Sequence, residues 1–385
     1  MGYVRETRMK RLGHAVALLL ILVCPAVADT VLPGMVQEKL LLQITLPDGS
    51  QAKLEALVVR PDRPERFPLV VLVHGTLRAT GETLRNAMAQ QSPGDLLGPA
   101  VAFAQHGYAA VSIMRRGFGR SEGRFAEALS GTCDSRDYLA VGRMAAEDVS
   151  GAVATLRKEP WVDPDRVLLL GHSTGGFAVT AAAANSPSGV VGILNFAGGH
   201  GSAGPDRVCS PGHLVEDTGI LGRTTRVPAL WIYSENDHFI PATLGRRMFE
   251  AYVASGAPAQ LQVLPPFGVE GHAMLVMGPA ELWWPFAESF LNGLRLPTSL
   301  VVELPPPAVI PAPTPLNAVC TNYFDYYVKA HTDIKAFAWN REGHCSSVTS
   351  VSRTIDEAKA VAMRQCVDAW KECSLYAVGQ ALAPG

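Results

Sequence analysis

A chain of 385 residues, 48% hydrophobic and 18% charged, is long enough to bury a large core and to hold more than one domain. Its net charge of −2 comes without any basic block or aromatic-basic interleaving, which leaves no footing for a nucleic-acid partner.

Residues 1–28 read as a secretory signal peptide. Arg5, Arg8, Lys10 and Arg11 make a basic start, residues 15–23 are apolar, and Ala26-Val27-Ala28 is a small-residue cleavage signal. The apolar stretch over 15–28 holds 14 residues, short of the roughly 20 that a membrane span needs. A lipidated Cys24 is the weaker reading, because Val23 stands where a small residue is required. Cleavage after Ala28 leaves 29 basic and 34 acidic residues, a net −5. No later stretch reads as transmembrane, so the product is expected to be secreted or periplasmic, with no integral membrane segment.

Residues 40–46 and 54–59 read as strands around the Pro47-Asp48-Gly49 turn. Residues 69–73 form a third, wholly apolar strand, expected near the centre of a sheet covered on both faces, with His74-Gly75-Thr76 at its end. Residues 77–98 read as a polar surface excursion, 99–106 as a helix and 108–114 as a strand closed by Arg115-Arg116-Gly117-Phe118-Gly119-Arg120-Ser121. A second excursion covers 124–142, and an amphipathic helix covers 145–158, ended by Pro160. The apolar run Val167-Leu168-Leu169-Leu170 then leads into Gly171-His172-Ser173-Thr174-Gly175 and a small apolar helix over 177–184. Strands follow at 190–196, 229–233 and 260–264, with helices at 244–254 and 282–294. Residues 197–226 read as an irregular insertion, expected to cap the site, with His200 and His213 as its candidates to touch substrate.

Alternation of strands and helices predicts right-handed crossovers in a doubly wound, mostly parallel α/β sheet. This large domain is assigned to 29–297. Six prolines between 305 and 315 mark 298–316 as a semi-rigid linker. Residues 317–385 form a small α+β domain, with a capping box at Thr354-Ile355-Asp356-Glu357 and strands at 335–339 and 374–378. A unit of this size needs staples. Without Cys24 there are six cysteines, an even number suited to an oxidising compartment. Cys133 and Cys209 are expected to pair in the large domain. Cys320, Cys345, Cys366 and Cys373 are expected to form two bridges whose connectivity the sequence leaves open. No C-x-x-C spacing or adjacent histidine suggests a metal site.

G-x-S-x-G between a buried strand and a helix places Ser173 on a strained turn with its hydroxyl exposed. A serine hydroxyl needs a base, and the base needs an orienting carboxylate. The chain supplies them in the order Ser173, Asp237, His272: Asp237 directly after an apolar strand, His272 before the last helix. Glu235 is a rival acid, and His238 and His213 are rival bases. Backbone N–H groups for an oxyanion are expected from Thr174 and from Thr76 or Leu77.

His74-Gly75, the Arg116-Gly117-x-Gly119-x-Ser121 loop, Gly171–Gly175, Asp237 and His272 together resemble the α/β-hydrolase superfamily over roughly residues 40–295, with spacing similar to its dienelactone hydrolase and prolyl-oligopeptidase-like branches. One departure is Met114-Arg115, where many relatives carry an aspartate before Arg-Gly. The C-terminal part resembles a small cysteine-containing domain of unknown role. The resemblance implies a serine hydrolase without metal or organic cofactor, acting on small-molecule or acyl esters. A peptidase, an amidase or an acyltransferase would use the same three residues, and a non-catalytic binding module on the same fold is the reading from another class.

Overall fold

The computed structural model describes Gly2 and residues 32–125, 131–349 and 354–384. Apart from Gly2, the expected leader and Cys24 lie outside the described residues. The first part of the chain alternates β1 (Met35–Thr45), β2 (Gln51–Pro61), β3 (Phe67–Val73), α1 (Gly81–Gln90), α2 (Leu97–Gln105), β4 (Ala109–Ile113), the ribbon β5 (Gly131–Thr132) with β6 (Ser135–Arg136), α3 (Tyr138–Leu156), β7 (Val162–His172) and α4 (Thr174–Ala184). It continues through β8 (Val190–Phe196), the ribbon β9 (Ser202–Gly204) with β10 (Arg207–Val208), α5 (Pro211–Gly222), β11 (Ala229–Ser234), α6 (Ala242–Ala254), β12 (Ala259–Leu264), α7 (Met274–Met277) and α8 (Trp284–Gly293).

Eight of these strands form one sheet in the order β1-β2-β4-β3-β7-β8-β11-β12. The pairs β1–β2 and β2–β4 are antiparallel, and every later pair is parallel. The reason the central strands read as unbroken apolar runs is visible residue by residue. In β3, Leu69, Val71 and Val73 enter the core packed by α3 to α6, while Val70 and Leu72 enter the core packed by α2 and α8. Val167 and Leu169 of β7 divide from Leu168 and Leu170 in the same way. A strand whose two faces are both covered has no solvent side on which to alternate polar residues.

Two stretches differ from the expectation. Residues 77–98 contain α1 and a 3-10 turn at Pro93–Leu96. Residues 197–226 are a short ribbon and a regular helix. Leu214, Thr218 and Leu221 of α5 recur at helical spacing and are buried, with both leucines in the core beside α6. Gly, Pro and His content hid that period, and α5 packs against α6, α3 and α4 and does not line the cavity. The helix α3 also starts earlier than expected, at Tyr138, where the Asp137 side chain accepts from Ala140 N at 2.8 Å.

The last part holds α9 (Ala318–Lys329), β13 (Ala336–Trp339), β14 (Cys345–Val348), α10 (Ile355–Trp370), β15 (Ser374–Val378) and β16 (Ala381–Leu382). Its antiparallel sheet runs β14-β13-β15-β16. Phe337 packs with Cys320, Phe324 and Tyr327 of α9, while Ala336 and Ala338 pack with Ala358, Ala362 and Cys366 of α10. The Asn317 side chain caps α9 and Thr354 caps α10. Lys335 is fully buried, and its ammonium donates to the carbonyls of Tyr327 (2.8 Å), Ala330 (3.0 Å) and Val328 (3.4 Å), closing the C-terminal end of α9. Disulfides join Cys320 to Cys345 and Cys366 to Cys373, and a third joins Cys133 to Cys209.

Between the two sheets the chain is held at both ends. Val301 N and Val302 N donate to Gln105 O at 2.7 and 3.1 Å, and Arg63 donates to Val301 O at 2.8 Å. Val302 and Leu304 pack into the core of the large sheet, whereas Ala308, Ile310 and Leu316 pack into the core of the small one.

Candidate active site

Ser173 sits between β7 and α4 with φ 58° and ψ −123°. That conformation is costly for a residue with a Cβ, and the neighbours over-determine it. Ser173 N donates to Phe196 O at 2.9 Å, and Ser173 O accepts from Gly199 N at 3.1 Å and Phe177 N at 3.2 Å. A Cβ at Gly175 would stand 2.1 Å from Val73 O, and one at Gly171 would stand 2.1 Å from Gly175 O. Only glycine lets strand, turn and helix approach this closely. Gly75 is pressed against the turn as well, since a Cβ there would meet Ser173 Cβ at 2.8 Å.

Asp237 follows β11 and is buried. Its carboxylate accepts from Phe239 N and Ile240 N, each at 2.8 Å, and from His272 Nδ1 at 2.9 and 3.1 Å. A carboxylate only accepts, so Nδ1 of His272 carries the proton and Nε2 is left able to take one. The imidazole is held on several sides. Glu270 accepts from His272 N at 3.1 Å, His172 Nε2 donates to His272 O at 2.8 Å, and the Phe239 ring stacks on the imidazole at 4.6 Å. Burial and the neighbouring His272 push His172 down to about 4, so it stays neutral near pH 7. Ser173 and His272 line the same cavity of about 920 Å³, together with Gly75, Thr76 and Leu77.

The rival residues stand elsewhere. Glu235 and His213 are exposed, and His238 pairs with Asp206 at 3.0 Å. His200 is buried beside the Tyr138 and Phe177 rings. Neither His200 nor His213 lines the cavity, and neither do Cys133 and Cys209. Among the described residues, no group of three or more His, Cys, Asp or Glu side chains is placed to hold a metal ion.

Sequence reasoning did not find a role for Arg115. Its buried guanidinium donates to Thr174 Oγ1 (2.9 Å), Thr76 Oγ1 (3.2 Å) and His74 O (3.3 Å), and its N–H donates to His74 Nε2 (3.1 Å). The two threonine hydroxyls are 3.0 Å apart. Arg115 thereby draws the start of α4 and the loop after β3 together behind Ser173. At the neighbouring departure from the resemblance, Met114 packs with Met88 and Phe118, and its carbonyl accepts from Ser121 Oγ at 2.8 Å. Sequence reasoning also missed the cavity wall contributed by α9, where Val319, Tyr323 and Tyr326 recur at i, i+4 and i+7.

Comparison with known proteins finds similarity over part of the chain. The family described as X-Pro dipeptidyl-peptidase (S15 family) matches residues 48–237, a stretch that includes Ser173 and Asp237. The chain has the α/β-hydrolase fold. The quorum-quenching protein AidA of Acinetobacter baumannii (strain MDR-ZJ06) is 32% identical to this chain over 138 residues. That match covers 36% of this chain and only 38% of the relative's length. An acetyl xylan esterase from Paenibacillus sp. R4 aligns at 19% identity and a TM-score of 0.46, covering 70% of this chain and 86% of the other. The dipeptidyl peptidase 4 of Porphyromonas gingivalis aligns at 15% identity and a TM-score of 0.45, covering 67% of this chain and 35% of the other.

Proposed function

We propose that this protein, with its α/β-hydrolase fold, is an exported serine hydrolase that cleaves carboxylic esters through Ser173, His272 and Asp237. The observation that carries the reading is a serine on a strained strand-to-helix turn sharing one cavity with a histidine whose Nδ1 is bound to a buried carboxylate. In this reaction His272 Nε2 takes the Ser173 hydroxyl proton as Oγ bonds to the ester carbonyl carbon. Thr174 N–H, with Thr76 or Leu77 N–H, stabilises the oxyanion. Collapse of the tetrahedral intermediate breaks the bond to the alcohol oxygen, which receives the proton from His272. Water, deprotonated by His272, then attacks the acyl-enzyme, and Ser173 leaves with its proton restored.

Export rests on the basic-apolar-small pattern of residues 1–28 and on three disulfides. Among the described residues no helix is long and apolar enough to cross a membrane. The working division is a leader at 1–28, a catalytic domain at 29–297, a linker at 298–316 and a small domain at 317–385.

Peptide hydrolysis is the second reading, favoured by the family match. The test is labelling with a fluorophosphonate probe, followed by turnover of p-nitrophenyl esters beside X-Pro anilides. The expected result is label on Ser173 and faster ester turnover. Label absent from Ser173 overturns the mechanism, and faster anilide turnover overturns the ester assignment.

A further inference from the structure

The helix α9 carries two apolar stripes. One, Cys320, Phe324 and Tyr327, is buried in the core of its own domain. The other, Val319, Tyr323 and Tyr326, lines the cavity that holds Ser173 and His272. A helix that covers only its own sheet needs one apolar face and is polar elsewhere. Tyr323 also packs against that core, so the second stripe serves its own domain and the cavity together. The small domain meets the large one directly at this point: a Cβ on Gly268 would stand 3.0 Å from the Asn322 amide, in the loop that leads to His272. To the same cavity the large domain contributes Val276, Met277 and Phe267. Asp95, also in the wall, is pushed up to about 7 by burial, so it is mostly protonated below neutral pH. A space of about 920 Å³ is far larger than an acetyl group requires and matches a ligand of many carbons.

We propose that the small domain forms half of the substrate site, with Val319, Tyr323 and Tyr326 receiving a long alkyl chain of the ester. This rests on the reading of Ser173 as the nucleophile, which sits in the same cavity. The substrate class is then an ester with a medium or long aliphatic acyl group, not an acetyl ester. Burial of each methylene on this wall favours the transition state by about fourfold.

The test uses the full chain and p-nitrophenyl acetate, butyrate and octanoate. In the wild type, kcat/KM should climb steeply from acetate to octanoate. Val319→Glu, at a partly exposed position outside the buried stripe, and Tyr323→Ala should each lower the octanoate value by about tenfold or more while acetate stays within about twofold. A wild type that prefers acetate, or two variants that keep the wild-type profile, would overturn the proposal. Calorimetric titration with octanoate reads the site without turnover. Binding by the wild type, weakened about tenfold in Val319→Glu, supports the alkyl site even if Ser173 resists the fluorophosphonate and the hydrolase reading fails. No binding, or equal binding by both proteins, refutes it whatever the esterase result.

Discussion

Ser173 holds a backbone conformation that glycine would adopt more cheaply, and three glycines around it leave no alternative path for the chain. Ser173→Ala keeps that geometry and removes only the hydroxyl, so it should fold normally and lose about 10⁴-fold or more of kcat, with His272→Ala about as damaging. Steady-state turnover of a p-nitrophenyl ester measures both, and turnover by Ser173→Ala within a few-fold of wild type would exclude the proposed nucleophile. Arg115 acts one step back, through the hydroxyls of Thr76 and Thr174. Arg115→Met should lower kcat by about tenfold to a hundredfold with little change in KM, and Arg115→Lys should recover part of the loss. The candidate triad was legible in the sequence because each member has a local signature, namely a strand, a turn and a residue type. Arg115 has none. It reads as one more cation in a polar loop, and only the fold shows that its guanidinium bridges residues 39 and 59 positions away.

Among the elements, those with strong end signals were read well and those defined by long-range packing were not. Thr354 accepts from Glu357 N at 3.2 Å, as its capping box requires. Thr354→Ala should cost about 1 kcal/mol in chemical denaturation. Neither α5 nor α9 was legible. In α5 the residues that suggest a loop precede a buried leucine face, and in α9 two overlapping apolar stripes blur a single period. The end of α9 offers the sharper test. Lys335 satisfies three carbonyls from a buried position, and burial lowers its ammonium to about 8. Lys335→Met removes the charge but leaves those carbonyls without their donor, so a loss of about 1–3 kcal/mol is expected, read as an earlier unfolding midpoint in urea.

At the scale of the molecule, the bridge between Cys133 and Cys209 closes a separation of 76 residues. In the chain-entropy model it contributes about 4 kcal/mol, so selective reduction should lower the melting temperature well before it abolishes labelling of Ser173. Asp95 gives a pH dependence of definite sign. Its folded value, about 7, lies above the ordinary 3.8, so the folded protein keeps a proton that the unfolded chain has released across that window. Stability from this group is full below the ordinary value and is lost as pH rises through the folded one. Asp95→Asn should therefore melt close to wild type near pH 4 and higher than wild type near pH 8, a comparison that calorimetry reads directly. The proline-rich connection has a mechanical consequence of its own. With Leu304 committed to one core and Ala308 to the other, only Pro305, Pro306 and Pro307 are left to span the gap. Three prolines form a stiff rod of roughly 3 Å per residue with almost no slack. The small domain is thus presented to the cavity at an effective concentration near the millimolar range or above. A contact too weak to hold two separate proteins together is enough to keep α9 over Ser173, and one proteolytic cut in those prolines would turn a fixed wall into a partner that diffuses away.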